Sequence, residues 1–116
     1  MTVTVDSVTF DCDQPREVAE FWSAALDRPI RQDPAPSDFF VALAPAADAP
    51  GMFFIKVPEG KTVKNRVHLD LSAGGDRMAE VARLEGLGAT TVSEKAEYGI
   101  EWTVLQDVEG NEFCIH

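Results

Sequence analysis

From residue 3 to residue 12 the chain alternates apolar and polar positions: Val3, Val5, then Val8, Phe10 and Cys12. A period of two with β-branched residues predicts a strand, and the phase slip at Asp6-Ser7 reads as a bulge. Asp13 stands before Gln14-Pro15-Arg16-Glu17, which predicts a helix start with Asp13 as N-cap and an early proline. Val18, Phe21, Trp22, Ala25 and Leu26 then recur at helical spacing and give that helix one apolar stripe. Asp27-Arg28-Pro29 ends it, because proline cannot continue the hydrogen-bond ladder. Residues 39–43 and 52–57 read as strands, 45–51 as a turn and 58–61 as a linker.

The second half repeats this plan. Residues 67–71 alternate as a strand, Gly74-Gly75-Asp76 forms a loop ending in an N-cap candidate, and Met78, Val81, Ala82 and Leu84 or Glu85 carry a helix stripe to Leu87. Gly88 stands where a left-handed C-cap belongs. Residues 90–93, 100–105 and 112–116 read as strands, with residues 107–111 as a tight turn. The charged face of Arg77, Glu80 and Arg83 reads as solvated, and Glu94 with Glu97 falls in a loop-like stretch without a partner base.

The halves match with an offset of about 60 residues: Ser7 falls on His68, Leu26-Asp27 on Leu87-Gly88, and Met52-Phe53-Phe54-Ile55 on Glu112-Phe113-Cys114-Ile115. Each half reads β-α-β-β-β. One helix cannot cover both faces of a sheet. Two such halves predict an α+β fold in which two βαβββ modules, residues 1–60 and 65–116, form a curved mixed sheet around a concave cleft, a common place for a ligand.

Composition narrows the function. Lys and Arg number 10 against 20 Asp and Glu, a formal charge of −10. Such a chain repels phosphate backbones and anionic membranes, so neither nucleic acid nor a membrane is an expected partner, and long-range attraction favours a cationic ligand. No apolar run approaches membrane-span length, and residues 1–6 carry no basic or apolar leader, so the expected compartment is the cytoplasm. Cys12 and Cys114 lie in strand-like runs, where buried reduced thiols are the simplest reading and a disulfide or reactive thiol the alternatives.

Asn65-Arg66-Val67-His68-Leu69-Asp70-Leu71, the helix end Leu87-Gly88-Ala89, then Trp102-Thr103-Val104-Leu105 and Asp107-Val108-Glu109-Gly110-Asn111-Glu112-Phe113-Cys114 form an ordered series. Together with Phe21-Trp22 before Leu26-Asp27, it resembles the glyoxalase/bleomycin-resistance/dioxygenase superfamily, the vicinal oxygen chelate fold, in its short glyoxalase-like branch. The turn departs from the family's Asp-Pro-Glu/Asp-Gly at Val108.

The resemblance implies a divalent-metal site, where one is present, built from the first and last strand of each half. By the repeat these positions are Ser7, Phe54, His68 and Cys114. Phe54 cannot ligate, Ser7 is a poor ligand, and Cys114 serves only as thiolate, which leaves His68 as the one good donor. Asp70, two residues on and on the same strand face, is a further donor outside the family pattern. The expected site therefore holds no metal and no cofactor. Phe54, His68, Asp70, Trp102 and Cys114 are its candidate ligand-binding residues, with no catalytic residue assigned.

Each candidate also has a plainer reading. His68 is a pocket hydrogen-bonder or general base, or else a structural histidine satisfying a carbonyl. Trp102 stacks on a ligand or fills the core. Cys114 is a small buried hydrophobe or a lining residue. Lys56 and His116 share faces with Phe54 and Cys114 near the rim, where solvent exposure is the simpler expectation.

The leading reading is a metal-free protein that binds or sequesters a small organic molecule, cationic or antibiotic in the concrete version, as metal-free family members do. A metal-dependent lyase, isomerase or dioxygenase is the alternative. The resemblance also implies a homodimer. A ferredoxin-like sensor domain accounts for the helices but not for three strands after the last one.

Overall fold

A computed structural model of the chain describes residues 2–116. Two compact units divide it, one ending at Gly60 and the other spanning Lys61–His116.

In the first unit the order is β1 (Ser7–Cys12), α1 (Pro15–Leu26), β2 (Phe40–Ala42) and β3 (Gly51–Lys56). The strands lie in the order β1-β3-β2, with β1 parallel and β2 antiparallel to β3. The first unit holds three strands, not the four of the β-α-β-β-β plan, and Ile30 with Leu43 adds an isolated bridge. Val3 is 95% exposed and pairs with nothing, so β1 starts at Ser7 rather than at residue 3. Its apparent alternation at Val3 and Val5 lacked a face to bury.

Helix α1 caps on Gln14, without a side-chain bond, and not on Asp13. Asp13 instead receives the Lys56 amine, at 2.8 Å on its carbonyl and 3.3 Å on its carboxylate. The stripe packs as the spacing predicts: Val18, Phe21 and Trp22 are buried. The Phe10 ring lies 5.4 Å from Trp22 and 5.2 Å from Phe54, an aromatic core between α1 and the sheet.

In the second unit the order is β4 (Asp70–Leu71), α2 (Arg77–Gly86), β5 (Thr90–Glu97), β6 (Ile100–Gln106) and β7 (Glu112–Ile115). The sheet order is β4-β7-β6-β5, with β4 parallel to β7 and the other pairs antiparallel. Asp76 caps α2 as its position predicts, its carboxylate accepting the Ala79 amide at 3.1 Å. Gly88 follows α2 at φ +117°, where an added Cβ would stand 2.9 Å from a Val108 methyl. Glycine is required there on both counts.

Two expectations fail here. The strand of residues 67–71 shrinks to Asp70–Leu71, with Val67 80% exposed. The supposed loop at residues 94–97 is the end of β5, which turns through Tyr98 and Gly99, both at positive φ, into β6. Positive φ at two successive positions suits a tight hairpin.

Strand alternation sorts the second sheet into two faces. Thr103, Leu105, Phe113 and Ile115 are buried on one. Arg77, the first residue of α2, reaches that face, its Nη1 donating to Thr103 Oγ1 at 2.6 Å and to Glu94. Its side chain is only 19% exposed, so Arg77 does not belong to the solvated face expected for α2. Glu94, likewise, has partners: the Thr103 hydroxyl, at 2.9 Å, and Arg77 hold its carboxyl below the usual range against a smaller opposing effect of burial.

Candidate functional site

The opposite face of the same sheet is open. Trp102 and Val104 from β6, Glu112 and Cys114 from β7, and Asp70 from β4 alternate onto it, because residues two apart on a strand share a face. They line a cavity of about 590 Å³, completed by Lys64, His68, Ile100, Glu101 and His116. That volume is in the roughly 300–1,000 Å³ range of ligand clefts. Ile100, Trp102 and Val104 form its apolar wall.

The polar side is organised around His68. Its Nδ1 lies 3.0 Å from Asp70 Oδ1. This fixes one ring nitrogen on the carboxylate and leaves Nε2 as the free one. Cys114 pairs with Asp70 across the parallel β4–β7 ladder. Burial raises the Cys114 thiol, and the negative Asp70 carboxylate raises it further, with Lys64 opposing them. The group is therefore a protonated thiol at neutral pH, and a poor nucleophile.

Glu112 is a locked carboxylate. Burial alone would raise it, but the Asn65 amide at 3.0 Å and the Lys61 amine at 3.0 Å outweigh burial and hold it low. Its own backbone amide donates to Asn65 Oδ1 at 3.2 Å, so the segment leading to His68 is fastened to β7.

Among the described residues, His68, Asp70 and Cys114 present one donor atom each within 4.8 Å of one another. Three donors with an open fourth position match the donor count of a catalytic zinc site. An ion there would have to displace the Cys114 proton and part His68 Nδ1 from Asp70 Oδ1, which lie 3.0 Å apart and already pair with each other.

Of the residues singled out in the sequence, His68, Asp70, Trp102 and Cys114 all line this one cavity, and His116 joins them. Phe54 does not. It is 0% exposed and stacks near Phe10 inside the first unit's core. The cause is register. In β1–β3, Thr9 pairs with Phe53, as Asp70 pairs with Cys114 in β4–β7. The repeat offset is thus 61 residues in the last strand as in the first, and the counterpart of Cys114 is Phe53, not Phe54. A one-residue slip moves every side chain to the other face. Two adjacent phenylalanines hid that slip in the sequence. Lys64, Ile100 and Val104 were also passed over. The period of β6 placed Ile100 and Val104 beside Trp102, but nothing in the pattern marked Lys64, which sits on irregular chain.

With this geometry in hand, comparison with known proteins gives the family. The glyoxalase-like domain family matches residues 7–116. The chain belongs to that family. No curated protein sequence matches it. Among solved structures, a glyoxalase/bleomycin resistance protein/dioxygenase family enzyme from Burkholderia phytofirmans PsJN is similar, with a TM-score of 0.77 at 17% identity, covering 97% of each chain. The fosfomycin resistance protein FosX of Listeria monocytogenes, complexed with Mn(II) and a dihydroxypropylphosphonic acid, gives a TM-score of 0.74 at 12% identity, over 100% of this chain and 93% of that one. Lactoylglutathione lyase from Agrobacterium tumefaciens gives 0.66 at 8% identity, over 98% and 92%. Identities this low speak to fold alone. The mixed α+β architecture with two sheets and two helices is that of the glyoxalase fold. No helix among the described residues is long and apolar enough to cross a membrane.

Proposed function

We propose that this glyoxalase-like chain binds a small organic molecule in the cavity of its Lys61–His116 unit, and that binding needs no metal. The observation that carries the reading is the cavity itself: an apolar wall of Ile100, Trp102 and Val104 facing a polar side centred on the His68–Asp70 pair. Apolar lining with few placed polar groups is the usual make-up of a ligand cleft. A ligand with a flat ring lies against Trp102, and His68 Nε2 takes or gives one hydrogen bond. Cys114, held as a thiol, fills the floor as a small apolar group. Sequestration of an antibiotic is one form of this function, and the fosfomycin resistance neighbour makes such compounds natural members of a screen. A thermal-shift screen of aromatic metabolites and antibiotics tests it. A compound that raises Tm in the native chain and not in Trp102→Ala supports the reading, and a screen without any stabilising compound refutes it.

A second reading rests on the proximity of His68, Asp70 and Cys114: a metal-dependent lyase, isomerase or dioxygenase whose ion these three hold. The ion's contribution would be Lewis acidity towards a ligand oxygen. Elemental analysis of the purified chain decides between the two. A stoichiometric transition ion that is lost in His68→Ala would replace the metal-free reading.

A further inference from the structure

The chain's overall charge points to a cationic ligand, but the charges at the cavity point the other way. Two of the three carboxylates on the cavity already face a cation, and the third is bonded to the histidine ring. Glu112 holds Lys61 and the Asn65 amide. Asp70 holds His68 at 3.0 Å. Glu101 faces Arg77, with its Oε2 3.4 Å from Nη2. Two cations nearby are not matched. Lys64 lines the cavity, and among the described residues its amine makes one hydrogen bond, a 3.5 Å approach to the Asn65 carbonyl, and no ion pair. Arg66 makes no ion pair or hydrogen bond among the described residues. In a chain with twice as many acids as bases, two neighbouring cations without a carboxylate are out of the ordinary.

The local sequence shows how this comes about. Residues 61–68 read Lys-Thr-Val-Lys-Asn-Arg-Val-His, with Lys61, Lys64, Arg66 and His68 and no acidic residue. A second cavity, of about 610 Å³, is lined by Val63, Lys64, Asn65, Arg66 and His68. Lys64 and His68 belong to both cavities. The two spaces are therefore adjoining: one with an apolar wall at Trp102, the other with a basic wall at Lys64 and Arg66.

We infer that the ligand is an amphipathic organic anion, a carboxylate or phosphonate on an aromatic or aliphatic body. Its body lies against Trp102, Ile100 and Val104, and its acid head sits between Lys64 and Arg66, within reach of His68. An ammonium supplies a point charge and a guanidinium a planar fork, a pairing suited to an oxyanion. This inference rests on the binding function proposed above and gives that ligand its charge.

The test uses the full chain and three probes with one body: naphthaleneacetate, naphthaleneacetamide and naphthylmethyl-trimethylammonium, titrated by calorimetry. The acid is expected to bind about tenfold more tightly than the amide, about 1.4 kcal/mol, and the cation more weakly than either. Added salt should weaken the acid and leave the amide unchanged. In Lys64→Ala/Arg66→Ala, both exposed positions, the acid's advantage over the amide should vanish. Lys64→Arg should retain the advantage. Trp102→Ala should weaken all three probes alike. Equal binding of acid and amide, preference for the cation, or an acid preference that survives the double variant would each overturn the inference while leaving the cavity a binding site. Binding of none of the three would remove the binding function, and this inference with it.

Discussion

The two units share a strand pairing and differ in what they hang on it. In one, Ser7, Thr9 and Phe53 occupy the positions that His68, Asp70 and Cys114 occupy in the other. Two hydroxyls and a phenyl ring are weak or void as acid–base and ligating groups at neutral pH, whereas an imidazole and a carboxylate are strong ones. The aromatic investment is reversed as well. Phe10, Phe21, Trp22 and Phe54 are packed together in the first unit, while Trp102 in the second lines an open cavity. A repeat relieved of chemistry is free to specialise in stability, and its twin can leave a sheet face uncovered for a ligand.

The sharpest way to break this contrast is to empty the first core. Phe54→Ala should cost about 3–5 kcal/mol of unfolding free energy, because the ring leaves a cavity that its neighbours fill only in part. Urea denaturation measures it, and a loss under about 1 kcal/mol would mean that the aromatic cluster is not the stabilising element. Next in size is Glu112→Ala, expected to cost about 1.5–3 kcal/mol at pH 7 by freeing Lys61 and the Asn65 amide. Since the Glu112 carboxyl is held below its ordinary value, its contribution is present above the unfolded pKa and fades as pH falls through the folded one. The variant and the native chain should therefore converge in stability under strongly acidic conditions, and a gap of constant size across pH would contradict the ion pair as its source.

Trp102→Ala should do the opposite of Phe54→Ala: about a tenfold loss in ligand affinity, near 1.4 kcal/mol, with under about 1.5 kcal/mol of stability, since the residue is only partly buried. Parallel calorimetry and denaturation separate the two effects. The smallest effect is on a rate. Cys114 is raised by burial and by Asp70, so its alkylation by iodoacetamide at pH 7 should be slower than that of a free thiol and should climb as pH rises. Asp70→Asn removes the negative neighbour and should speed the reaction severalfold, and Cys114→Ala, which leaves only Cys12 at 2% exposure, gives the background to subtract. The sign for stability follows: a thiol raised in the folded state supports folding below its unfolded pKa and loses that support as pH climbs through the folded value.

How far the sequence carried is clearest at single elements. Helix α1 was legible because Val18, Phe21 and Trp22 carry a helical period that nothing else competes with. His68 and Asp70 were legible as a pair because two residues apart on an extended chain means one face. Phe54 was misplaced because Phe53 and Phe54 are chemically alike, and periodicity has no purchase on two neighbours of equal hydrophobicity. Asp13 looked like a cap, yet it is Lys56, 43 residues on, that takes it, and such partners are set by tertiary structure. Lys64 was invisible for the same kind of reason: an unpaired cation is defined by the absence of partners in space, which no linear pattern records.

The shared offset of 61 residues also says something about what this scaffold could become. Because β1–β3 and β4–β7 run parallel in the same register, Ser7→His, Thr9→Asp and Phe53→Cys would write the second unit's donor set onto the first. Three substitutions separate a lopsided protein from one that carries the donor set twice, with Thr9 and Phe53 already paired as Asp70 and Cys114 are.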